Sequence, residues 1–565
     1  MSVAPASVAS VASVASVASV AEAVGTALVR RFGVGTVFGV VGSGNFLLTN
    51  ALAAAGARFI AARHEGGAAV MADAYARVSG ELGVLSVHQG PGLTNAMTGI
   101  TEAAKSRTPL LVLAAEATAP RSNFHIDQSA LARAVGAQPH RLTSAATAAA
   151  ELARACHAAL SERRTVLLSL PLEVQAAPAP ASFDPPRYPA ATPAAADPDA
   201  VSALADALVA AHRPVFIAGR GARHAREDLI HLSERIGALL ATSAVSRGLF
   251  RGEPFNLDVS GGFATPVAAE LIQNADLLVG WGCSLNMWTL RHGALVGDGT
   301  TVVQVDLDPA ALGAHHAVDL GLTGDAAATA RAVADELRRR GHRASGYRSA
   351  QVAERLAREG RWRDVPHDDA AEAEEGRIDP RTLSVALDDL LPVEKTVAVD
   401  SGNFMGYPSM YLDVPDPDGF VFTQAFQSIG LGLATAVGAA VARPDRLTVA
   451  ALGDGGALMG ISELETAVRL GLDLLVVVYD DEAYGAEVHH FGAQGHPVDI
   501  VTFPPADIAA IGAGFGCAAA TVRGLADLAP VADWLSGLRD RPMVVDAKVT
   551  RARPSWWLAE AFRGH

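Results

Sequence analysis

Short apolar, β-branched runs alternate along most of this chain with longer Ala- and Leu-rich stretches whose apolar positions recur at helical spacing. Val215-Phe-Ile-Ala, Thr301-Val-Val-Gln-Val and Leu474-Leu-Val-Val-Val are such runs. They lack regular apolar–polar alternation, so they predict strands covered on both faces, and the helical stretches between them predict βαβ units and parallel sheets. The pattern breaks twice. Residues 175–199 are dominated by Ala and Pro; residues 341–379 hold a basic, helix-like stretch around Ala353 to Arg363 and then the acidic run Asp368 to Glu375. Read as linkers, these breaks leave three tandem doubly wound α/β domains with parallel sheets, at residues 22–174, 200–340 and 380–565. Ahead of them the triplet Ser-Val-Ala repeats five times from Ser7 to Ala21. A period of three fits neither helix nor strand, so residues 1–21 are expected to form a disordered tail.

Composition narrows the function classes. Of the 565 residues, 50% are hydrophobic and 19% charged, enough apolar material for several cores and too little charge for a mainly disordered chain. The formal charge of −15 repels phosphate backbones and anionic membrane surfaces, so nucleic acid is not an expected partner. Cys156, Cys283 and Cys517 are too few and too scattered for a disulfide framework or a zinc site. No stretch approaches the roughly 20 apolar residues that span a bilayer, and the serine-interrupted start lacks a secretory pattern, which together lead us to expect a cytoplasmic protein.

In parallel α/β sheets, ligands bind beyond the carboxyl ends of the strands. The apolar run Leu447 to Leu452 ends in Gly453-Asp454-Gly455-Gly456, and Leu474 to Tyr479 ends in Asp480-Asp481-Glu482-Ala483-Tyr484-Gly485. Two strand ends thus each deliver a carboxylate beside glycines whose bare N–H groups can approach a phosphate. That is a set of hard oxygen donors for Mg²⁺ and a diphosphate, although Gly453-Asp454-Gly455 alone reads equally well as a tight turn.

These residues resemble the motif of the thiamin diphosphate (ThDP) enzymes, the group containing acetolactate synthase, benzoylformate decarboxylase and pyruvate decarboxylase. The resemblance spans nearly the whole chain after the tail and implies a pyrimidine-binding domain, a central Rossmann-like domain and a diphosphate-binding domain. It implies metal ligands at Asp454, Asp481 and the Ala483 carbonyl, with Gly453, Gly455, Gly456, Tyr484 and Asn403 at the diphosphate. The usual Asn-Asn pair is Asp480-Asp481 here. An added carboxylate attracts Mg²⁺ but repels the diphosphate, which puts ThDP affinity in question. In Ala425-Phe-Gln-Ser-Ile-Gly-Leu-Gly, the resemblance puts Ile429 as the wedge that bends the cofactor and the Gln427 carbonyl at its exocyclic amine. In Arg63-His-Glu-Gly-Gly, it implies that Glu65, best kept partly buried, hydrogen-bonds the aminopyrimidine and drives proton removal from the thiazolium.

The same resemblance implies decarboxylation of a 2-oxo acid and leaves the fate of the acyl anion equivalent open between transfer to an acceptor carbonyl, as in acetolactate synthase, and release of an aldehyde, as in benzoylformate decarboxylase. Ser43 in Gly42-Ser43-Gly44-Asn45 and His88 in Val87-His88-Gln89 match the decarboxylase pattern, while Gly90-Pro91-Gly92-Leu93-Thr94-Asn95 reads like the synthase. His125 aligns with an active-site Gln of the synthase and Glu487 with a catalytic Glu of pyruvate decarboxylases. A non-catalytic ThDP-binding relative is a third reading, prompted by Asp480-Asp481. The central glycines Gly219, Gly221, Gly280 and Gly282 leave FAD open without favouring it, because the flavin-site stretch typical of acetolactate synthases is replaced by Ser284-Leu-Asn-Met-Trp. The resemblance also implies a homodimer or homotetramer, since the Glu-bearing domain of one subunit serves the diphosphate-bearing domain of another. The adjacent Trp556 and Trp557 are expected to pack on the body of the domain.

Overall fold

The computed structural model describes residues 18–189, 192–342, 346–367 and 374–558. These form two compact units, one holding the chain up to Ala61 together with Leu82–Pro189, the other Ala62–Glu81 together with the chain after Pro189.

The first unit is built on β1 (Thr36–Gly39), β2 (Arg58–Ala61), β3 (Gly83–Val87), β4 (Leu110–Glu116), β5 (Gln138–Arg141) and β6 (Thr165–Pro171). They pair in the order β2-β1-β3-β4-β6-β5, all parallel. β3 and β6 are buried along their whole length, which is why the sequence shows continuous apolar runs there and no alternation. Val84, Leu111, Leu113, Val166 and Leu168 form one core with Leu28 and Leu52 of the helices Val20–Phe32 and Phe46–Ala55.

The second unit carries two more sheets. β7 (Pro214–Ala218), β8 (Leu239–Thr242), β9 (Asn256–Val259), β10 (Leu277–Trp281), β11 (Thr301–Asp306) and β12 (Leu320–Thr323) pair in the order β9-β8-β7-β10-β11-β12, the order of a dinucleotide-type doubly wound sheet. β13 (Lys395–Val399), β14 (Phe420–Phe422), β15 (Leu447–Gly453), β16 (Leu474–Asp480), β17 (Ala518–Val522) and β18 (Met543–Lys548) pair as β14-β13-β15-β16-β18-β17. All pairings in both are parallel. The three parallel sheets with flanking helices agree with the predicted architecture.

Two boundaries differ from the sequence reading, and one helix groups by packing across a third. The expected tail reaches Ala21, but a helix starts at Val20, where Ser19 and Glu22 close a capping box and Val20 and Ala21 are buried; residues 1–17 of the tail lie outside the described residues. The second expected linker contains the helix Ala350–Glu359, whose Val352 and Leu356 join the core formed by Leu271 and Ile272; most of its acidic run lies outside the described residues. The helix Glu65–Ser79, part of the N-terminal domain by sequence, groups with the second unit by packing: the Met71 backbone lies so close to Gly438 of the helix Gly432–Ala442 that any side chain there would overlap it. Cys156, Cys283 and Cys517 are free and buried. Among the described residues, no helix is long and apolar enough to cross a membrane.

Candidate active site

The acidic residues singled out by the sequence meet at the carboxyl end of the third sheet. β15 delivers Gly453 and Asp454, and the neighbouring β16 delivers Asp480 and, one residue beyond the strand, Asp481. Asp454 is buried, and its carboxylate approaches that of Asp481, which also accepts from the Asn403 side chain. Burial, then the charges of Asp481 and Asp480, pushes the Asp454 carboxyl well above the usual carboxylate range; burial, then Asp480, does the same to Asp481. Two adjacent carboxylates, one buried and one half-buried, are unfavourable without a cation, so this donor set fits a hard divalent ion. Among the described residues, no three His, Cys, Asp or Glu side chains converge on one point. The expected set does not require that, since it combines two carboxylates with the main-chain oxygen of Ala483. Glu482 lies between them in the left-handed region at φ 56°, making the turn at which the chain leaves β16.

Packing explains the glycines of the motif. A Cβ on Gly455 would sit 2.5 Å from the Tyr484 ring, and one on Gly456 2.5 Å from Asp400 Oδ2. Both positions therefore need glycine for the close approach of Tyr484 and Asp400, whatever else their N–H groups bind. Asp400, at the end of β13, was not singled out by sequence reasoning. It accepts from the N–H groups of Ser401 (2.8 Å), Gly430 (3.0 Å) and Leu431 (3.3 Å), so it ties the Ile429 turn to the sheet. Its burial pushes its carboxyl up to about 6 despite those bonds. In the same turn, Gln427 is left-handed at φ 60°, an uncommon conformation for a side chain of that size and one that redirects its carbonyl. Asn403 is pinned from the C-terminal side: Ser555 Oγ donates to its carbonyl at 2.6 Å. Trp557 is buried beside Gly406 and Trp556 stacks on Trp362 at 5.4 Å, so this tryptophan pair packs on the domain body as expected. Asn403, Asp481, Tyr407 and Arg553 line one small cleft.

Glu65 is half-buried and opens the helix Glu65–Ser79, with His64 Nδ1 capping the N–H of Gly66 at 3.0 Å. The turn before it is held by Glu463, a residue sequence reasoning passed over because a helical Glu ordinarily faces solvent. Here Glu463 is 2% exposed. Its carboxylate accepts from the N–H groups of Arg63 (3.1 Å) and His64 (3.0 Å) and from Thr466 Oγ1 (2.7 Å). A Cβ on Gly67 would fall 2.5 Å from Glu463 Oε1, so the second glycine after Glu65 serves this clamp.

The other candidates divide between the units. In the first, the loops after β1, β3 and β4 converge. Gly44 N–H donates to His88 Nδ1 at 3.2 Å, the His88 ring meets the edge of Phe124 at 5.2 Å, and side chains on Gly42 or Gly44 would overlap His88 or Gln89. Buried Asn45 shapes the exposed Ser43 turn by accepting from Gly42 N–H and donating to Ser86. His125 Nδ1 donates to the Ala117 carbonyl at 2.9 Å. Assigned from these partners, neutral His88 carries its proton on Nε2 and neutral His125 on Nδ1. Glu487 stands instead on the second unit's helix Gly485–Gly492, directly after Tyr484. In the central sheet, Gly219, Gly221 and Gly282 pack backbone on backbone, which accounts for their lack of side chains without reference to a dinucleotide.

Three domain models match the chain in succession: the thiamine pyrophosphate enzyme N-terminal TPP binding domain at residues 18–135, the central domain at 201–333 and the C-terminal TPP binding domain at 400–547. A probable 2-ketoarginine decarboxylase of Pseudomonas aeruginosa is 32% identical over 87% of this chain and 88% of its own length. Sulfoacetaldehyde acetyltransferase of Rhodobacter capsulatus is 29% identical over 81% of this chain and 82% of its own. Catabolic acetolactate synthase of Raoultella terrigena is 28% identical over 88% and 89%.

Proposed function

The chain belongs to the thiamine pyrophosphate enzymes, and from that premise we propose that it is a ThDP- and Mg²⁺-dependent enzyme that decarboxylates a 2-oxo acid and passes the acyl anion equivalent to an acceptor carbonyl. The observation that carries the cofactor reading is the close Asp454–Asp481 pair at adjacent strand ends, with Asp454 buried, which needs a divalent cation to be comfortable. When bound, ThDP supplies the nucleophilic carbon and the electron sink for loss of CO₂. Asp454, Asp481 and the Ala483 carbonyl hold the metal; Asn403, Gly453, Gly455, Gly456 and Tyr484 surround the diphosphate. Ile429 and the Gln427 carbonyl set the cofactor's bend, and Glu65 shares a proton with its pyrimidine ring. Ser43 orients the substrate carboxylate. The two tautomers assigned above make His88 a proton donor and His125 an acceptor through their Nε2 atoms.

Transfer is supported by similarity to an acetolactate synthase and an acetyltransferase. Aldehyde release is the second reading, favoured by similarity to a 2-ketoarginine decarboxylase and by a carboxyl group at Glu487 on the helix that follows the metal loop. Incubation with pyruvate, an aryl 2-oxo acid and a guanidino 2-oxo acid, each with and without an added aldehyde or 2-oxo acid acceptor, separates them by mass spectrometry. Ligated products support the first reading; aldehyde alone overturns it in favour of the second; no turnover of any of them, together with unchanged behaviour of Glu65→Gln, leaves a cofactor-binding relative. The same reading makes the working assembly at least a dimer in the cytoplasm, without FAD as a required cofactor, and full activity in a monomeric sedimentation peak contradicts that assembly.

A further inference from the structure

The pair Asp480-Asp481 is where this chain leaves the motif it otherwise follows, and the two acids have different surroundings. Asp480 is the last residue of β16 and is 1% exposed. Asp480 faces Lys548 on the neighbouring strand, whereas Asp481, one residue beyond β16, faces Asp454 and Asn403. Asp480 lies directly opposite Lys548 of β18, and its Oδ2 accepts from Lys548 Nζ at 2.5 Å while its Oδ1 accepts from Glu482 N–H at 3.0 Å. Lys548 also reaches Asp546 Oδ2, two residues back on its own strand and so on the same face, at 3.1 Å, and donates to the Ala506 carbonyl at 2.9 Å. All three ionic side chains are buried.

The cation at this place is also unusual for the chain. Lys105, Lys395 and Lys548 are the three lysines among 45 Lys and Arg. A compact ammonium on a flexible stem fits between two strands where a planar guanidinium does not. An unpaired carboxylate here would be both costly to bury and next to the metal ligand.

We propose that Lys548 is a positioning residue that acts as the internal counter-ion of Asp480, holding that carboxylate off the metal and offsetting part of its repulsion of the diphosphate, so that Asp replaces Asn at 480 without loss of the cofactor. The inference rests on the ThDP reading above and answers the doubt that the double Asp raised. Asp480 is then part of a buried ion network and not a fourth metal ligand.

A double-substitution cycle on the full-length chain tests this, read by ThDP binding at fixed Mg²⁺ and by thermal unfolding of the cofactor-free protein. Lys548→Met leaves two uncompensated carboxylates and weakens ThDP binding about tenfold. Adding Asp480→Asn removes one of them and brings the dissociation constant back to within about threefold of wild type, even though both Met variants unfold at lower temperature than wild type. Asp480→Asn alone binds ThDP at least as tightly as wild type. If Lys548→Met binds normally, or if the double variant binds as weakly as Lys548→Met, the counter-ion role is wrong and Lys548 only fills space. If Lys548→Met does not fold, Asp480→Asn alone decides: retained Mg²⁺-dependent binding upholds the proposal, and its loss makes Asp480 a metal ligand and overturns it. Failure of the wild-type chain to bind ThDP at any Mg²⁺ concentration overturns the cofactor reading itself, a result visible before any variant is made.

Discussion

The first and third sheets share one strand order, 2-1-3-4-6-5 when each is counted from its own first strand, yet their equivalent strand ends carry different chemistry. After the first strand, the N-terminal sheet has Gly42-Ser43-Gly44-Asn45 and the C-terminal sheet Asp400-Ser401-Gly402-Asn403. After the third strand the pair is His88-Gln89-Gly90 against Gly453-Asp454-Gly455. Following the fourth strand it is the loop leading to Phe124-His125 against Asp480-Asp481. The architecture supplies the same three loops twice. Hydrogen-bonded imidazole, amide and hydroxyl groups make one set suited to an organic substrate or ring, and clustered acids make the other suited to a cation. Topology therefore tells where to look and nothing about what is bound, which is decided by a few residues at each strand end.

That contrast can be broken or sharpened by substitution. The largest effect is expected at Glu65, the acid contributed by the segment between the second and third strands of the N-terminal sheet: Glu65→Gln lowers turnover by about 10³-fold while ThDP binding changes little, since general acid–base roles are worth that much. Turnover and binding falling together would instead make Glu65 a binding residue. Next comes an asymmetry within the acidic set. Asp454→Asn weakens Mg²⁺-dependent ThDP binding by about 100-fold, whereas Asp481→Asn, which keeps an oxygen donor and relieves the repulsion between the two carboxylates, costs less than about tenfold. Equal losses would mean that the two acids are interchangeable.

Glu463 sharpens the comparison differently, because it holds the Glu65 turn without touching the reacting groups. Glu463→Ala strands the N–H groups of Arg63 and His64 and costs about 1–3 kcal/mol of unfolding free energy, with kcat reduced more than KM. Glu463→Gln, which retains an acceptor oxygen, recovers part of both. Unchanged kcat in the Ala variant would leave Glu463 a purely structural clamp. The smallest effect is in pH dependence. Burial raises the Asp400 carboxyl to about 6 from an unfolded value near 3.8. Between about pH 4 and 6 the native state therefore binds more protons than the unfolded one, so this group's contribution to stability falls as pH rises through that window. Unfolding free energies measured across it are expected to show that fall, and Asp400→Asn to remove it.

Much of this was legible in the sequence, and the parts that were not have a common cause. Parallel sheets announce themselves through doubly covered strands such as β16, and contiguous motifs such as Gly453-Asp454-Gly455 keep their neighbours through folding. Lys548, Glu463 and Asp400 act through partners 68, 400 and 30 residues away. Nothing local distinguishes a buried, backbone-clamping Glu463 from a solvated one. The grouping of the helix Glu65–Ser79 with the second unit is equally nonlocal, since it follows from the fit of Met71 to Gly438. Gly455 and Gly456 were found for a phosphate but are also demanded by Tyr484 and Asp400, a packing reason that no motif states.

The most direct test of the acidic pole is a calorimetric titration of the full-length wild-type protein with ThDP, with Mg²⁺ present and after chelation. Saturable binding that appears with Mg²⁺ and disappears with the chelator is the result this account predicts. Equal binding under both conditions, or none under either, would contradict it.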